Sequence, residues 1–171
     1  MLASEQKSPQ KMTISEYLSW EPQQELRYEY LNGELIAMTG GTIPHNDIAL
    51  NFYSLLRPYL RKKGCRVNVS GVKVRDRQNN CYFYPDVVVT CNSQDLQARE
   101  FIENPQIYVL VDPESISVEI YQRGEGRLWL YSAYTEGEII HLSSIGFECP
   151  IEQLYEAVML EKRDNSNIPL G

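Results

Sequence analysis

Only one stretch of this chain carries a helical period long enough for a substantial helix. In HNDIALNFYSLLRPYLRKKG, residues 45–64, Ile48, Phe52, Leu55, Leu56 and Tyr59 recur at three- and four-residue spacing. Pro58 falls inside that pattern and is expected to kink the helix or end it early, since an interior proline costs about 3 kcal/mol. Gly64 is a natural C-terminal stop. Beyond Gly64 the chain consists mostly of short apolar or alternating runs bounded by turn residues: CRVNVSGVKVRD (65–76) with an expected bulge at Ser70-Gly71, CYFYPDVVVTC (81–91), IYVLVDPES, SVEIYQRG, RLWLYSAY and EIIHLSS. Strands clustered around one long helix predict an α+β fold, a mixed sheet with that helix packed on it, rather than a doubly wound sheet.

Local signals fill in both ends. ISEYLSW, 14–20, is a short amphipathic helix with Thr13 as N-cap. In RYEYLNGELIAM, 27–38, two alternating runs flank Asn32-Gly33, a hairpin turn that needs positive φ at both central residues. IEQLYEAVML, 151–160, reads as a closing helix. One domain over 13–160 is expected, with a disordered lead at 1–12 and a flexible tail at 161–171.

The net charge of -7 argues against a whole-surface nucleic-acid binder. No run approaches the length of a membrane helix, and the polar N-terminus has no apolar signal core, so a cytoplasmic protein is expected. There are four cysteines and no CxxC. Cys81 and Cys91 bracket an extended stretch of roughly 33 Å, beyond the ~7 Å that a disulfide allows, and reduced, mostly buried thiols are expected. With two histidines in the chain, a structural zinc site is not expected.

Four features could carry chemistry. Asp86 interrupts an apolar strand directly after Pro85, where a carboxylate is costly unless paired, hydrogen-bonded or metal-bound; a solvent-facing or salt-bridged aspartate fits the same spacing. His45 lies one turn before Ile48 and could face the sheet, or could satisfy the helix start. Glu34 comes directly after the hairpin turn, where most carboxylates are solvated. Finally, Arg57, Arg61, Lys62, Lys63, Arg66, Lys73, Arg75 and Arg77 supply half of the chain's 16 basic residues, either a phosphate-facing patch or a solvated helix end and strand face. There is no GxxxxGK[ST], GxGxxG, GxSxG or HExxH.

Taken together, RYEYLNGELIAMTGGTIPHNDIALNFYSLLRPYL, KGCRVNV, YFYPDVVVTC, YVLVDPESISVEIYQRGEGRLWLY and IGFECPIEQLYEAV resemble the Uma-two family of restriction-endonuclease-like proteins, from Thr13 to Leu160. The resemblance implies a PD-(D/E)XK nuclease core and metal-dependent hydrolysis of DNA. It makes Asp86 of YPD the ligand of a magnesium or manganese ion, which needs few carboxylates because it keeps waters and takes substrate phosphate. It places Glu34 and His45 near the catalytic site. It makes DNA the expected partner, for which the basic residues Arg57, Arg61, Lys62, Lys63, Arg66, Lys73 and Arg75 are the candidate contacts, and leaves a homodimer open.

The chain departs from the family pattern after Asn104-Pro105. The family's Glu-bearing strand and Lys-bearing helix have no counterpart before IYVLVD, and no lysine occurs between Lys73 and Lys162. If IYVLVD takes the vacant place beside the Asp86 strand, Leu110 falls where the glutamate is expected, and Asp112 becomes the fallback metal ligand. Impaired hydrolysis is therefore expected, with a non-catalytic binding module as the alternative.

Overall fold

The computed structural model describes residues 11–126 and 128–161. The expected lead and tail fall almost wholly outside these residues. Met12, assigned to the lead, is described and donates its N–H to the Gly33 carbonyl at 2.8 Å.

Helix α1 (Ile14–Trp20) starts as expected, with a capping box between Thr13 and Glu16. Strands β1 (Tyr28–Leu31) and β2 (Glu34–Ala37) form the hairpin, and Asn32 and Gly33 take φ of 51° and 96°. Helix α2 spans Ile43–Arg61, capped by Thr42. It continues through Pro58 because that residue is exposed: water can satisfy the Ser54 carbonyl that the proline cannot bond.

The two long strands expected after α2 are each two strands. The first divides into β3 (Arg66–Val69) and β4 (Lys73–Asp76) at Ser70-Gly71, both with positive φ. The second divides into β5 (Cys81–Phe83) and β6 (Val87–Thr90) at Tyr84-Pro85-Asp86. Short helix α3 (Ser93–Gln97) and β7 (Phe101–Ile102) fill the connection. Then come β8 (Ile107–Val111), β9 (Ser117–Arg123), β10 (Trp129–Thr135), β11 (Ile139–Leu142) and β12 (Phe147–Pro150).

These strands form two five-stranded sheets, β2-β1-β5-β4-β7 and β10-β9-β8-β6-β3, with β11-β12 as a separate ribbon. The β4–β7 pair is parallel and the others are antiparallel, so the α+β expectation holds with its sheet split in two. Both chain segments cross between sheets at the same level, where the Ser70 N–H donates to the Asp86 carbonyl at 3.1 Å. Helix α2 buries Ile48, Phe52, Leu56 and Leu60 against Val87, Val89, Val109 and Ile120. Tyr17, Tyr30 and Tyr82 make a second cluster under α1.

Two expectations are corrected. Residues 151–160 form a 3-10 turn at Ile151–Gln153 followed by turns, not a helix. The Asn51 side-chain amide donates to the carbonyls of Leu154 and Glu156, and Ala157 sits at φ 58°, left-handed backbone that no helix contains. Cys65 and Cys91 are joined in a disulfide rather than reduced. The β3–β6 register pairs Arg66 with Thr90, which sets Cys65 opposite Cys91 one step on, with Cα atoms 4.2 Å apart. Cys81 and Cys149 are free.

Candidate functional site

The backbone break before β6 explains the carboxylate that interrupts its sequence. Pro85 offers no N–H to a ladder, so pairing lapses there and resumes with the Asp86 N–H donating to the Val109 carbonyl at 3.0 Å. Continuing the Val87–Val109 register, Leu110 lies opposite Asp86. The Asp86 side chain turns back on this neighbourhood. Its Oδ2 accepts the Val111 N–H at 2.8 Å, and its Oδ1 lies 3.0 Å from His45 Nε2 in the first turn of α2. The structure thus brings together two of the sequence candidates, at 15% and 27% side-chain exposure.

The bond to Asp86 raises the His45 pKa above its ordinary value; burial opposes the shift, and the charges of Asp86 and Glu161 add to it. The imidazole is therefore biased toward the protonated form, which donates from Nε2 to Asp86.

The pair opens into a cleft of about 280 Å³, lined also by Met38–Gly41 and the Ser70-Gly71 turn. Arg27 lies at its rim, with its guanidinium 5.5 Å from the Tyr84 ring centre and packed against Gly71, where any Cβ would overlap it. Sequence spacing held no sign of Arg27, because its place depends on the side-chain-free turn at Gly71. Nor did it point to Glu161, whose charge reaches His45 and whose Oε1 is buried without a hydrogen-bond partner among the described residues.

The other candidates lie apart from this cleft. Glu34 is exposed at the turn end of β2, whereas the cleft is lined by residues just beyond the far end of that strand. A four-residue strand separates those ends by roughly 13 Å. Asp112 holds the turn after β8, accepting from the Glu114 N–H at 2.8 Å and the Ser115 hydroxyl at 2.7 Å. Among the described residues, no group of three His, Cys, Asp or Glu side chains could hold a metal ion. Asp86 is the one family-implied metal ligand in this cleft, and each of its oxygens already accepts one hydrogen bond.

The basic cluster does not form one patch. Arg57, Arg61 and Arg66 share a shallow cleft of about 390 Å³, where Arg66 also donates to the Asp95 and Leu96 carbonyls. Lys62 and Lys63 extend from the end of α2, Lys63 over the Tyr59 ring. Lys73 is buried at 8% exposure and bonded to Glu21 at 2.9 Å, so it is inaccessible to phosphate. Glu21 stays ionised below its ordinary pKa: burial works against this, but bonds from Tyr84 and Lys73 prevail. Arg75 pairs with Glu103 on a different surface.

No helix among the described residues is long and apolar enough to cross a membrane. The chain is 26% identical over 177 aligned positions to the uncharacterized protein slr1290 of Synechocystis sp., covering 86% of this chain and 93% of that one. It is 29% identical over 150 positions to the uncharacterized protein sll1609 of the same organism, covering 70% and 85%. The fold matches a crystal structure from Anabaena variabilis described as "a putative nuclease belonging to DUF820", with a TM-score of 0.67 at 15% identity, covering 86% of this chain and 99% of that one. The family model described as "Putative restriction endonuclease" matches residues 14–109, more than half of the chain, including α1, the hairpin, α2 and the Asp86–His45 pair. On that match, this chain belongs to the Uma2 family.

Proposed function

We propose that this chain is a DNA-binding member of the Uma2 family in which metal-dependent phosphodiester hydrolysis is impaired. The observation that carries the proposal is the pairing of β8 directly with β6, with Leu110 opposite Asp86. The resemblance expects a glutamate there. Hydrolysis of this type needs a second ligand to fix the metal and a cation to orient the attacking water. Leu110 supplies neither, and the next lysine after Lys73 is Lys162.

The relatives support the loss of a segment. The match to slr1290 runs over 177 positions but takes in 86% of a 171-residue chain, about 147 residues, so about thirty positions face no residue here. The match to sll1609 runs over 150 positions and takes in 70%, about 120 residues, a deficit of the same size. An active enzyme using magnesium or manganese would need a second carboxylate beside Asp86, and Asp112, the fallback ligand, is held in its turn by the Glu114 N–H and the Ser115 hydroxyl.

The test is duplex DNA with the purified chain, with and without manganese, assayed by gel retardation and by product analysis. Retardation that weakens steeply with salt, without cleavage, is expected. Manganese-dependent cleavage by the wild type that is lost in Asp86→Ala would refute the impairment.

A further inference from the structure

We propose that the cleft between the two sheets, on the side of β8–β10 turned away from α2, binds the unpaired bases of single-stranded nucleic acid. This is separate from the Asp86 cleft and does not depend on the function proposed above.

The register places Tyr108 opposite Tyr121 and Tyr121 opposite Tyr131, so three rings lie on neighbouring strands of one sheet face. Tyr108 and Tyr121 stack with centres 4.5 Å apart and planes 10° from parallel; Tyr131 lies 5.0 Å beyond Tyr121. Phe83 reaches Tyr108 from the other sheet at 5.1 Å, and Trp129 meets the same ring at 5.1 Å. A cross-strand ladder stabilises a sheet by itself. This one lies on the sheet face opposite α2; Tyr108 packs against the buried cluster of Val74, Val88 and Ile102, and the ladder runs out to Tyr131, which is 55% exposed.

Tyr108, Tyr121 and Trp129 line a concavity of about 550 Å³ with charge on its walls, and Tyr131 continues the ladder beyond its lining. Arg75, Arg77 and Arg123 face Asp76 and Glu103, leaving an excess of one positive charge in a protein of net charge -7. Glu103 is shared by Arg75 and Arg77, at 3.0 and 2.7 Å. Arg123 lies 4.3 Å from the Trp129 ring centre, and no ion pair among the described residues involves it. Gln78, Asn79, Gln94 and Asn104 add amides able to bond base edges.

Aromatic platforms beside arginines are how proteins hold unpaired strands: the rings take base faces and the guanidinium groups take phosphate. A second copy of this chain fits less well, since a two-fold interface here would set two walls, each with an excess of positive charge, against one another.

The experiment is fluorescence anisotropy of labelled oligodeoxythymidine, with unlabelled duplex as competitor, on the wild type, Tyr131→Ala and Arg123→Gln. Stacking on an aromatic ring is worth about 1–3 kcal/mol, so Tyr131→Ala should weaken binding about five- to 150-fold. Tyr131 is exposed enough for its removal to leave the melting temperature close to that of the wild type. Binding should quench tryptophan emission in the wild type but not in Trp129→Phe, which keeps Trp20. Absence of binding overturns the inference. So does binding that both variants retain, or that duplex displaces fully; the strand would then sit elsewhere, leaving the duplex-binding proposal standing. Self-association that Tyr131→Ala abolishes would assign the face to a second copy instead, and would likewise overturn it.

Discussion

Replacing Asp86 with alanine should destabilise the protein, and its contacts set the size of the loss. The Val111 N–H, now donating to Oδ2 at 2.8 Å, would lose its acceptor, and a buried donor left unsatisfied costs about 1–3 kcal/mol. The bond to His45 at 3.0 Å is charge-assisted but partly wetted, so it adds about 1 kcal/mol after allowance for solvent. Together Asp86→Ala should lose about 2–4 kcal/mol, a fall in melting temperature on the order of 6–12 °C for a chain of this size. Asp86→Asn keeps an oxygen for Val111 and should lose about 1 kcal/mol. Urea unfolding monitored by far-UV circular dichroism measures all three proteins. An alanine variant as stable as the wild type, or more stable, would refute the account, because it is acids held under strain for catalysis whose removal stabilises.

The same pair predicts a pH dependence. Because folding raises the His45 pKa, its contribution is complete below the unfolded value of 6.5 and is lost as pH rises through the folded one; the gap between wild type and His45→Gln should shrink toward alkaline pH, and a constant gap would contradict this. Lys73→Met should strand the buried Glu21 carboxylate and cost about 3–5 kcal/mol, leaving duplex affinity of the folded protein unchanged; weaker DNA binding with an unaltered melting curve would return Lys73 to the interface. Reduction should lower stability by about 3 kcal/mol, given a separation of 26 residues between Cys65 and Cys91, and thiol titration of the denatured, unreduced protein should find two of the four cysteines free.

The features legible in the sequence are those that depend on neighbours in the chain. Asn32-Gly33, the Thr13–Glu16 capping box and the spacing of Ile48, Phe52 and Leu56 each act within a few residues, and α1, the hairpin and α2 form as expected. The breaks at Ser70-Gly71 and Pro85-Asp86 are visible as glycine and proline, but a bulge and a crossing between sheets begin with the same residues. The closing helix fails because Asn51, about a hundred positions away, takes the carbonyls it needs. The basic run scatters because closeness in sequence across a sheet crossing is not closeness in space: Lys73 enters the core while Arg66 stays at the edge strand. Cys65 meets Cys91, and His45 meets Asp86, only once register is fixed.

Asp86 has a structural role that its two hydrogen bonds define. At the crossing between sheets, the proline before it removes a ladder donor, and its side chain supplies the acceptor for Val111 at the end of β8. A carboxylate there is useful to the fold whether or not a metal ever binds. A chain that lost its glutamate and lysine partners would still be penalised for losing Asp86, so the residue would persist without hydrolysis to preserve it. A metal-holding role, were there one, and scaffolding would separate at one substitution. Asp86→Asn keeps the acceptor for Val111 but removes the charge that a divalent ion requires. If the fold needs only the acceptor, the asparagine variant keeps most of its stability and binds duplex DNA as the wild type does.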